Sequence, residues 1–255
     1  MMEYSPVIYL VAPLVVFAGY TVFGIGGFGA TIVMVPLLAH FLPIKVVVPL
    51  CLYLDFTAAI LLRARKGGEW LPKGAAAVEL RWILPFMLTG MAVGAWVLQV
   101  VAERWLMLSL GLFVAGYALL GLRQKPGAVQ GIARIWGAPL GVLGGVGSSV
   151  FGTGGSIYAL YIARRLADPG EMRSAMSTLI AISVLLRIPI FALSGLLFKM
   201  ELVYGWLGLL PAVVGGLYLG MRLHDRMAPA QMKRMIYLLL VVSGSSLALR
   251  ALALG

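Results

Sequence analysis

Two charged side chains stand alone inside apolar segments of this sequence, and both could carry chemistry. Arg187 has no other charged residue within ten positions on either side. An arginine at the centre of a bilayer costs at least about 2.5–3.5 kcal/mol, so it is normally aimed at a cavity or at a partner. We therefore expect Arg187 to provide a permanent positive charge for an anionic substrate, or to be neutralised by an acid elsewhere in the chain.

Asp55 is the acid in question, and it lies between Leu54 and Phe56. A carboxyl group in the membrane can carry a proton, because the loss of water disfavours its charged form. Asp55 could equally neutralise Arg187, and it would lie near the cytoplasmic surface if the boundary of its segment were displaced. The sequence leaves all three roles open.

The stretch 148–156 places glycines and hydroxyl side chains between two apolar runs. A helix that begins at Gly154 and Gly155 would aim its free N–H groups and its positive dipole end at an anion. Four hydroxyl groups add hydrogen-bond donors at the same place, and we expect all of these residues to bind substrate: Ser148, Ser149, Thr153 and Ser156. The alternative is that the hydroxyls bond within their own helices while the glycines allow close helix crossing.

The same glycine pattern occurs earlier in the chain. Phe-Gly-x-Gly-Gly stands at residues 23–27, the first glycine motif, and returns 128 positions later at residues 151–155, the second glycine motif. In the first motif Gly26 and Gly27 offer backbone N–H groups to a substrate but no hydroxyls. We expect the two motifs to approach each other near the bilayer midplane.

A second spacing repeats nearly in step with the first. Leu-Pro followed by two glycines occurs over residues 84–94 and again over 210–220, an offset of 126. The glycine pairs are small-xxx-small patterns, which favour close packing between helices. The two offsets indicate an internal duplication, with one membrane repeat over residues 1–126 and the other over 127–255.

The composition is that of an integral membrane protein. Hydrophobic residues make up 62% of the chain and charged residues 11%, with a mean hydropathy of +1.01. The net charge of +11 is explained by basic loops and lipid headgroups, without a nucleic-acid partner. The single Cys51 excludes a disulfide within the chain, and His40 and His224 fall near segment ends without partners at ligand spacing, so no metal or cofactor is expected. The N-terminal stretch lacks the basic region of a cleaved signal peptide, so the first apolar segment is expected to stay in the protein.

Apolar runs predict an all-α polytopic protein with about ten helical segments. The second and seventh segments are short and each follows a glycine motif, which is typical of broken or re-entrant helices. The predicted segments are 6–23, 28–42, 45–63, 74–101, 104–122, 134–150, 155–166, 172–198, 202–223 and 230–253.

Basic residues predict how these segments cross the membrane. Fifteen of the 20 Lys and Arg residues lie in the four loops that follow segments three, five, seven and nine. One residue from each of these loops is Arg65, Lys125, Arg165 and Arg226. Because cytoplasmic loops collect positive charge, we expect these residues in the cytoplasm and both termini on the other side. With five segments in each half, the second repeat must be inverted relative to the first.

The residues resemble those of the TauE/SafE family of membrane permeases, the sulfite exporter group. The similarity rests on the glycine-rich stretch 23–29 running into residues 32–36, and on its echo at 147–155. It covers essentially the whole chain and implies transport of sulfite, thiosulfate or an organosulfonate across a prokaryotic inner membrane. The second motif is followed by Ser156 where the family pattern has proline, a departure that concerns the substrate more than the fold.

The function expected from these features is a secondary transporter for a small sulfur-containing anion, coupled to protons or to another ion, in contact with the lipid bilayer. No Walker-type sequence provides for ATP use. The alternatives are an anion channel and, less favoured, an intramembrane enzyme with Ser156 or Ser148 as nucleophile, which would need a base within reach. The inverted duplication favours the transporter, with Arg187 and the stretch 148–156 binding one anion.

Overall fold

The structure is a computed structural model that describes residues 7–26, 29–65, 74–123, 131–166, 168–224 and 229–253. Within these ranges every regular element is helical. A single 3₁₀ turn at Arg134–Trp136 precedes the sixth α-helix. The helices are α1 Val7–Gly26, α2 Thr31–Leu38, α3 Ile44–Arg65, α4 Ala75–Val100, α5 Glu103–Arg123, α6 Gly137–Phe151, α7 Gly154–Arg165, α8 Pro169–Leu193, α9 Met200–His224 and α10 Pro229–Ala253.

Each of the ten predicted segments corresponds to one helix, which confirms the predicted all-α architecture for the described residues. The largest difference lies at the end of α8, which stops at Leu193 rather than at residue 198. There Gly195 has φ +70°, a left-handed conformation that favours glycine and turns the chain out of the helix.

Seven helices within the described ranges are long and apolar enough to cross a membrane. Two of the remaining helices follow the glycine motifs: α2 has 8 residues and α7 has 12. At about 1.5 Å per residue neither reaches the roughly 30 Å of a hydrocarbon core. They are the short members of broken pairs, α1 with α2 and α6 with α7, as predicted from the sequence.

The first helix of each half packs against the fourth helix of the other half. Helix α1 packs on α9, and α6 packs on α4. Helices α5 and α10, the fifth of each half, pack together, as do α3 and α8, the third of each half. This pattern is compatible with the predicted duplication, which stays a prediction. The boundary at residue 126 and the inversion across the membrane stay predictions.

Glycines allow close packing in two helix pairs, α4 with α6 and α1 with α9. A β-carbon at Gly94 of α4 would lie 2.8 Å from the backbone oxygen of Val146 in α6. One at Gly220 of α9 would lie 2.9 Å from the α-carbon of Gly24 in α1. Because such distances are closer than carbon atoms approach, only glycine permits these crossings. The repeated small-xxx-small patterns are therefore packing contacts.

Candidate functional site

Arg187 and Asp55 form an ion pair inside the protein. The Nη2 atom of Arg187, on α8, lies 3.3 Å from Oδ2 of Asp55, on α3. The Arg187 side chain is 3% exposed and that of Asp55 is 13% exposed. Of the roles left open by the sequence, the pairing of these two residues is therefore present, and Asp55 lies in the interior rather than at an exposed helix end.

Tyr20 completes the surroundings of the Asp55 carboxylate. Its hydroxyl donates to Oδ1 of Asp55 at 2.9 Å, and the whole tyrosine side chain is buried. Each carboxylate oxygen thus accepts from one donor, Oδ1 from α1 and Oδ2 from α8. The arrangement joins three helices through one acid.

Ser148 joins Arg187 to two neighbouring helices of the second half, α6 and α7. Its backbone oxygen accepts from Nη1 of Arg187 at 3.0 Å. Its side-chain hydroxyl lies 3.2 Å from the hydroxyls of both Ser183 and Tyr158. Ser148 lies on α6, Tyr158 on α7 and Ser183 on α8, so these helices also meet here. We refer to the connected side chains as the polar cluster, which consists of Tyr20, Asp55, Ser148, Tyr158, Ser183 and Arg187.

The polar cluster follows the internal repeat of the sequence. Tyr20 and Ser148 are 128 positions apart, and so are Asp55 and Ser183. This is the spacing that separates the two glycine motifs. The hydrogen bond from Tyr20 to Asp55 in the first half therefore corresponds to the one between Ser148 and Ser183 in the second. The two halves contribute equivalent pairs, of which only one carries a charge.

The first turn of α7 lies against the polar cluster. A β-carbon at Gly154 would collide with the hydroxyl oxygen of Ser148. Helical geometry leaves the N–H groups of Gly154 and Gly155 without partners inside their own helix, and these groups carry the positive end of the helix dipole. The predicted neighbours Ser148, Gly154 and Arg187 are thus brought together, and their role in binding stays a prediction.

The other hydroxyls of the stretch 148–156 have different surroundings. Ser156 donates to the backbone oxygen of Thr153 at 2.7 Å, and Thr153 donates weakly to that of Gly147 at 3.5 Å. The β-carbon of Ser149 faces α4, 3.0 Å from the position that a β-carbon at Gly94 would take. Local bonding, the alternative noted from the sequence, therefore applies to Thr153 and Ser156.

The two helix breaks touch each other. The hydroxyl of Thr31, the first residue of α2, donates to the backbone oxygen of Gly152 at 2.5 Å. Gly152 ends α6 with φ +72°, and a β-carbon there would lie 2.9 Å from the Thr31 side chain. Gly26 is the last residue of α1, and Gly27 lies outside the described residues. The contact agrees with the predicted approach of the two motifs, whose depth in the membrane stays a prediction.

Two buried polar atoms of the expected site residues have no hydrogen-bond partner. They are Nε of Arg187 and Oγ of Ser149, and only Nε of Arg104 shares this property among the described buried side chains. Buried polar groups are nearly always paired, so an unpaired guanidinium nitrogen is a donor that a ligand could use. Nε and Nη2 lie on the same edge of a guanidinium, the edge that holds two oxygens of an anion side by side.

A second buried carboxylate was not identified from the sequence. Oε1 of Glu79, on α4, lies 2.7 Å from Nη2 of Arg165, on α7, and Oε2 accepts from the hydroxyl of Tyr161. Arg165 also donates to the backbone oxygen of Ile132 at 3.1 Å. The sequence showed Arg165 only as a basic loop residue, because its partner lies 86 positions away. These bonds attach the far end of α7 to α4 and so fix the helix whose first turn meets the polar cluster.

Comparisons with known proteins agree with the architecture. The family model described as Sulfite exporter TauE/SafE matches residues 11–247. The protein described as "Probable inner membrane transporter protein TsaS" of Comamonas testosteroni is 29% identical over 175 residues, which cover 66% of this chain and 73% of that protein. No solved structure matches the chain.

Proposed function

The chain belongs to the sulfite exporter TauE/SafE family, and from this membership we propose that it is a secondary transporter for a small sulfur-containing anion. The substrate class is sulfite, thiosulfate or an organosulfonate, and transport is coupled to an ion gradient. Arg187 provides the positive charge for the anion. Because the similar TsaS protein is named as an inner membrane transporter, we place this chain in a prokaryotic inner membrane. From the distribution of basic residues we further propose that both termini lie outside the cytoplasm.

The observation that carries this proposal is the unpaired Nε of Arg187. The same guanidinium donates to the backbone of Ser148, whose side chain contacts the first turn of α7 at Gly154. A small oxyanion that leaves water must have its lost hydrogen bonds replaced, since an unpaired buried charge is very costly. One edge of a guanidinium and the N–H groups of Gly154 and Gly155 are donors suited to this task. The side chain of Arg187 is only 3% exposed, so little water competes with an anion for its N–H groups.

The other donors predicted from the sequence have different roles in the proposed binding site. Ser148 is central, because it contacts Arg187 and the α7 first turn directly. Ser149 contributes if its unpaired hydroxyl turns from α4, whereas Thr153 and Ser156 act through the shape of the helix break. Backbone N–H groups of the first glycine motif, at Gly26 and Gly27, would add donors from the other half.

The enzyme alternative lacks the base that it needs within the described residues. The hydroxyl of Ser148 contacts two other hydroxyls, and that of Ser156 donates to a backbone oxygen. Neither contact activates a nucleophile. A channel would use the same donors in an open pore, and a saturable, gradient-driven flux distinguishes a carrier from it.

Uptake into proteoliposomes tests the proposed function. Purified protein is reconstituted, and influx of labelled sulfite, thiosulfate, taurine and sulfoacetate is followed with and without a pH gradient. We expect saturable uptake of at least one anion by the wild type and its loss in Arg187→Met. Arg104→Met is the matched control, because Arg104 also has an unpaired buried Nε but lies outside the polar cluster. Uptake of none of the four anions above the protein-free background would contradict the proposal.

A further inference from the structure

We propose that Asp55 and the substrate anion compete for the single positive charge of the buried Arg187, so that each anion binds together with a proton on Asp55. This inference rests on the proposed function and names its coupling ion as the proton. In the structure Nη2 of Arg187 donates to Oδ2 of Asp55, and Nε is unpaired. An anion that accepts from Nε would therefore share one buried guanidinium with Asp55.

Burial makes it unfavourable for the anion and an ionised Asp55 to share Arg187. Nη2 carries two N–H groups, so the conflict between the two groups is one of charge rather than of hydrogen-bond capacity. If the anion pairs with Arg187 while Asp55 stays ionised, two negative groups share one positive charge in a buried place. Such an arrangement is strongly disfavoured.

Protonation of Asp55 removes this conflict. Oδ2 gains a proton from solvent and becomes the O–H of a neutral carboxylic acid, while Arg187 keeps its own proton and charge. Oδ1 continues to accept from the hydroxyl of Tyr20, which lies at 2.9 Å and holds the carboxyl group in place. The anion then pairs with Arg187, and for a singly charged anion the buried site has the same net charge as before.

The surroundings of Asp55 favour a proton over a metal cation. The groups that act on it are Arg187 from α8 and Tyr20 from α1, with Cys51 one turn earlier on its own helix. Helices α2, α5, α6 and α9 also pack on α3. Both hydrogen-bonding neighbours of the carboxylate are donors, whereas a sodium ion would need several oxygen ligands.

The two halves differ at the position that would carry the proton. Ser183 stands in the second half at the position equivalent to Asp55, and it pairs with Ser148 as Asp55 pairs with Tyr20. A serine cannot exchange a proton near neutral pH, so only the first half can carry one. The expected stoichiometry is therefore one proton for each anion.

Proton uptake on binding tests the inference. Purified protein in weakly buffered detergent solution receives thiosulfate or sulfoacetate, which are fully ionised at neutral pH and release no protons themselves. Binding is measured by calorimetry, and the proton change is measured with a pH-indicator dye. Where Asp55 is ionised in the ligand-free protein, we expect about one proton taken up per anion, and binding about tenfold weaker for each pH unit of increase.

Two variants separate Asp55 from other acids. Asp55→Asn keeps the shape and an oxygen for Tyr20, and we expect it to bind the anion without proton uptake and without the pH slope. Glu79→Gln is the control, because Glu79 is the other buried carboxylate and pairs with Arg165 instead. It should retain the wild-type stoichiometry.

The outcomes distinguish the inference from the proposed function. Anion binding by the wild type with no net proton uptake at any pH at which the protein stays folded would overturn the inference and leave the proposed function standing. Proton uptake that persists in Asp55→Asn would also overturn it. If neither anion binds the wild type, the proposed substrate class itself is wrong. Should Asp55→Asn fail to fold, the wild-type stoichiometry and pH slope decide the matter.

Discussion

Replacing Arg187 by methionine separates its structural role from its role in binding. The change leaves Asp55 with only the Tyr20 hydroxyl as a donor, because the 3.3 Å contact to Nη2 is lost. Removing one member of a buried ion pair typically costs about 3–5 kcal/mol. Adding Asp55→Asn removes the uncompensated charge, so we expect the double variant to regain most of that stability.

Anion binding should respond differently. Each hydrogen bond from a charged donor contributes about 1.5–3 kcal/mol, so losing two of them weakens binding by at least about a hundredfold. The double variant should therefore be well folded and still fail to bind. Arg187→Lys keeps the charge but lacks the planar edge, and we expect an affinity between those of the wild type and Arg187→Met.

The assay combines thermal unfolding in detergent with calorimetric titration of the anion that proteoliposomes transport. Both are carried out on the wild type, the two single variants and the double variant. If Arg187 only neutralises Asp55, the double variant will regain anion affinity along with stability. That result would refute the assignment of Arg187 to the substrate.

Three further predictions concern the fold that holds the site. Gly220→Ala should lower the melting temperature and cost about 1–3 kcal/mol through overpacking, whereas Gly208→Ala on the same helix should have little effect, since a β-carbon there meets nothing within 4 Å. Thr31→Val should lose about 1–3 kcal/mol of unfolding free energy, because it leaves the carbonyl at the second helix break unpaired; an unchanged melting temperature would mean that the breaks do not depend on this bond. A cysteine introduced at Lys125 should react with a membrane-impermeant maleimide only in permeabilised cells, against the low background of the buried Cys51, and labelling in intact cells would contradict the inverted arrangement.

The helices could be predicted from the sequence because each depends on local features. Long apolar runs, glycine breaks and charge clusters indicate where a membrane helix begins and ends, and they placed all ten segments. The two solitary charges were also visible, since Arg187 and Asp55 stand out in an apolar background. The family followed from the glycine motifs, and the match over residues 11–247 confirms it.

The partners within the site could not be found by local reasoning. Tyr20 and Tyr158 look like ordinary aromatic residues of membrane helices, and their hydroxyls acquire a role only through contacts between helices. One signal was nevertheless present, because the repeat spacing of 128 aligns Tyr20 with Ser148 and Asp55 with Ser183. Extending the repeat from the glycine motifs to their neighbours would have aligned these residues, although not their contacts.

The hydroxyls of the stretch 148–156 show a second limit of sequence reasoning. Serine and threonine beside a helix break can face a ligand or bond to their own backbone, and the two uses have similar energies. The structure has Ser156 bonded to the backbone of Thr153, while Ser149 faces α4. Only the packing of α4 and α7 on α6 determines these directions, and residue type does not reveal it.

The most direct test of the central claim is the position of a bound anion. Selenite has the shape and charge of sulfite, and its selenium scatters X-rays anomalously, so crystals soaked in selenite would locate it without ambiguity. We predict an anomalous peak within hydrogen-bonding reach of Nε and Nη2 of Arg187, beside the first turn of α7, with Asp55 withdrawn from Nη2. A peak elsewhere in the protein, with the ion pair between Arg187 and Asp55 intact, would contradict the account.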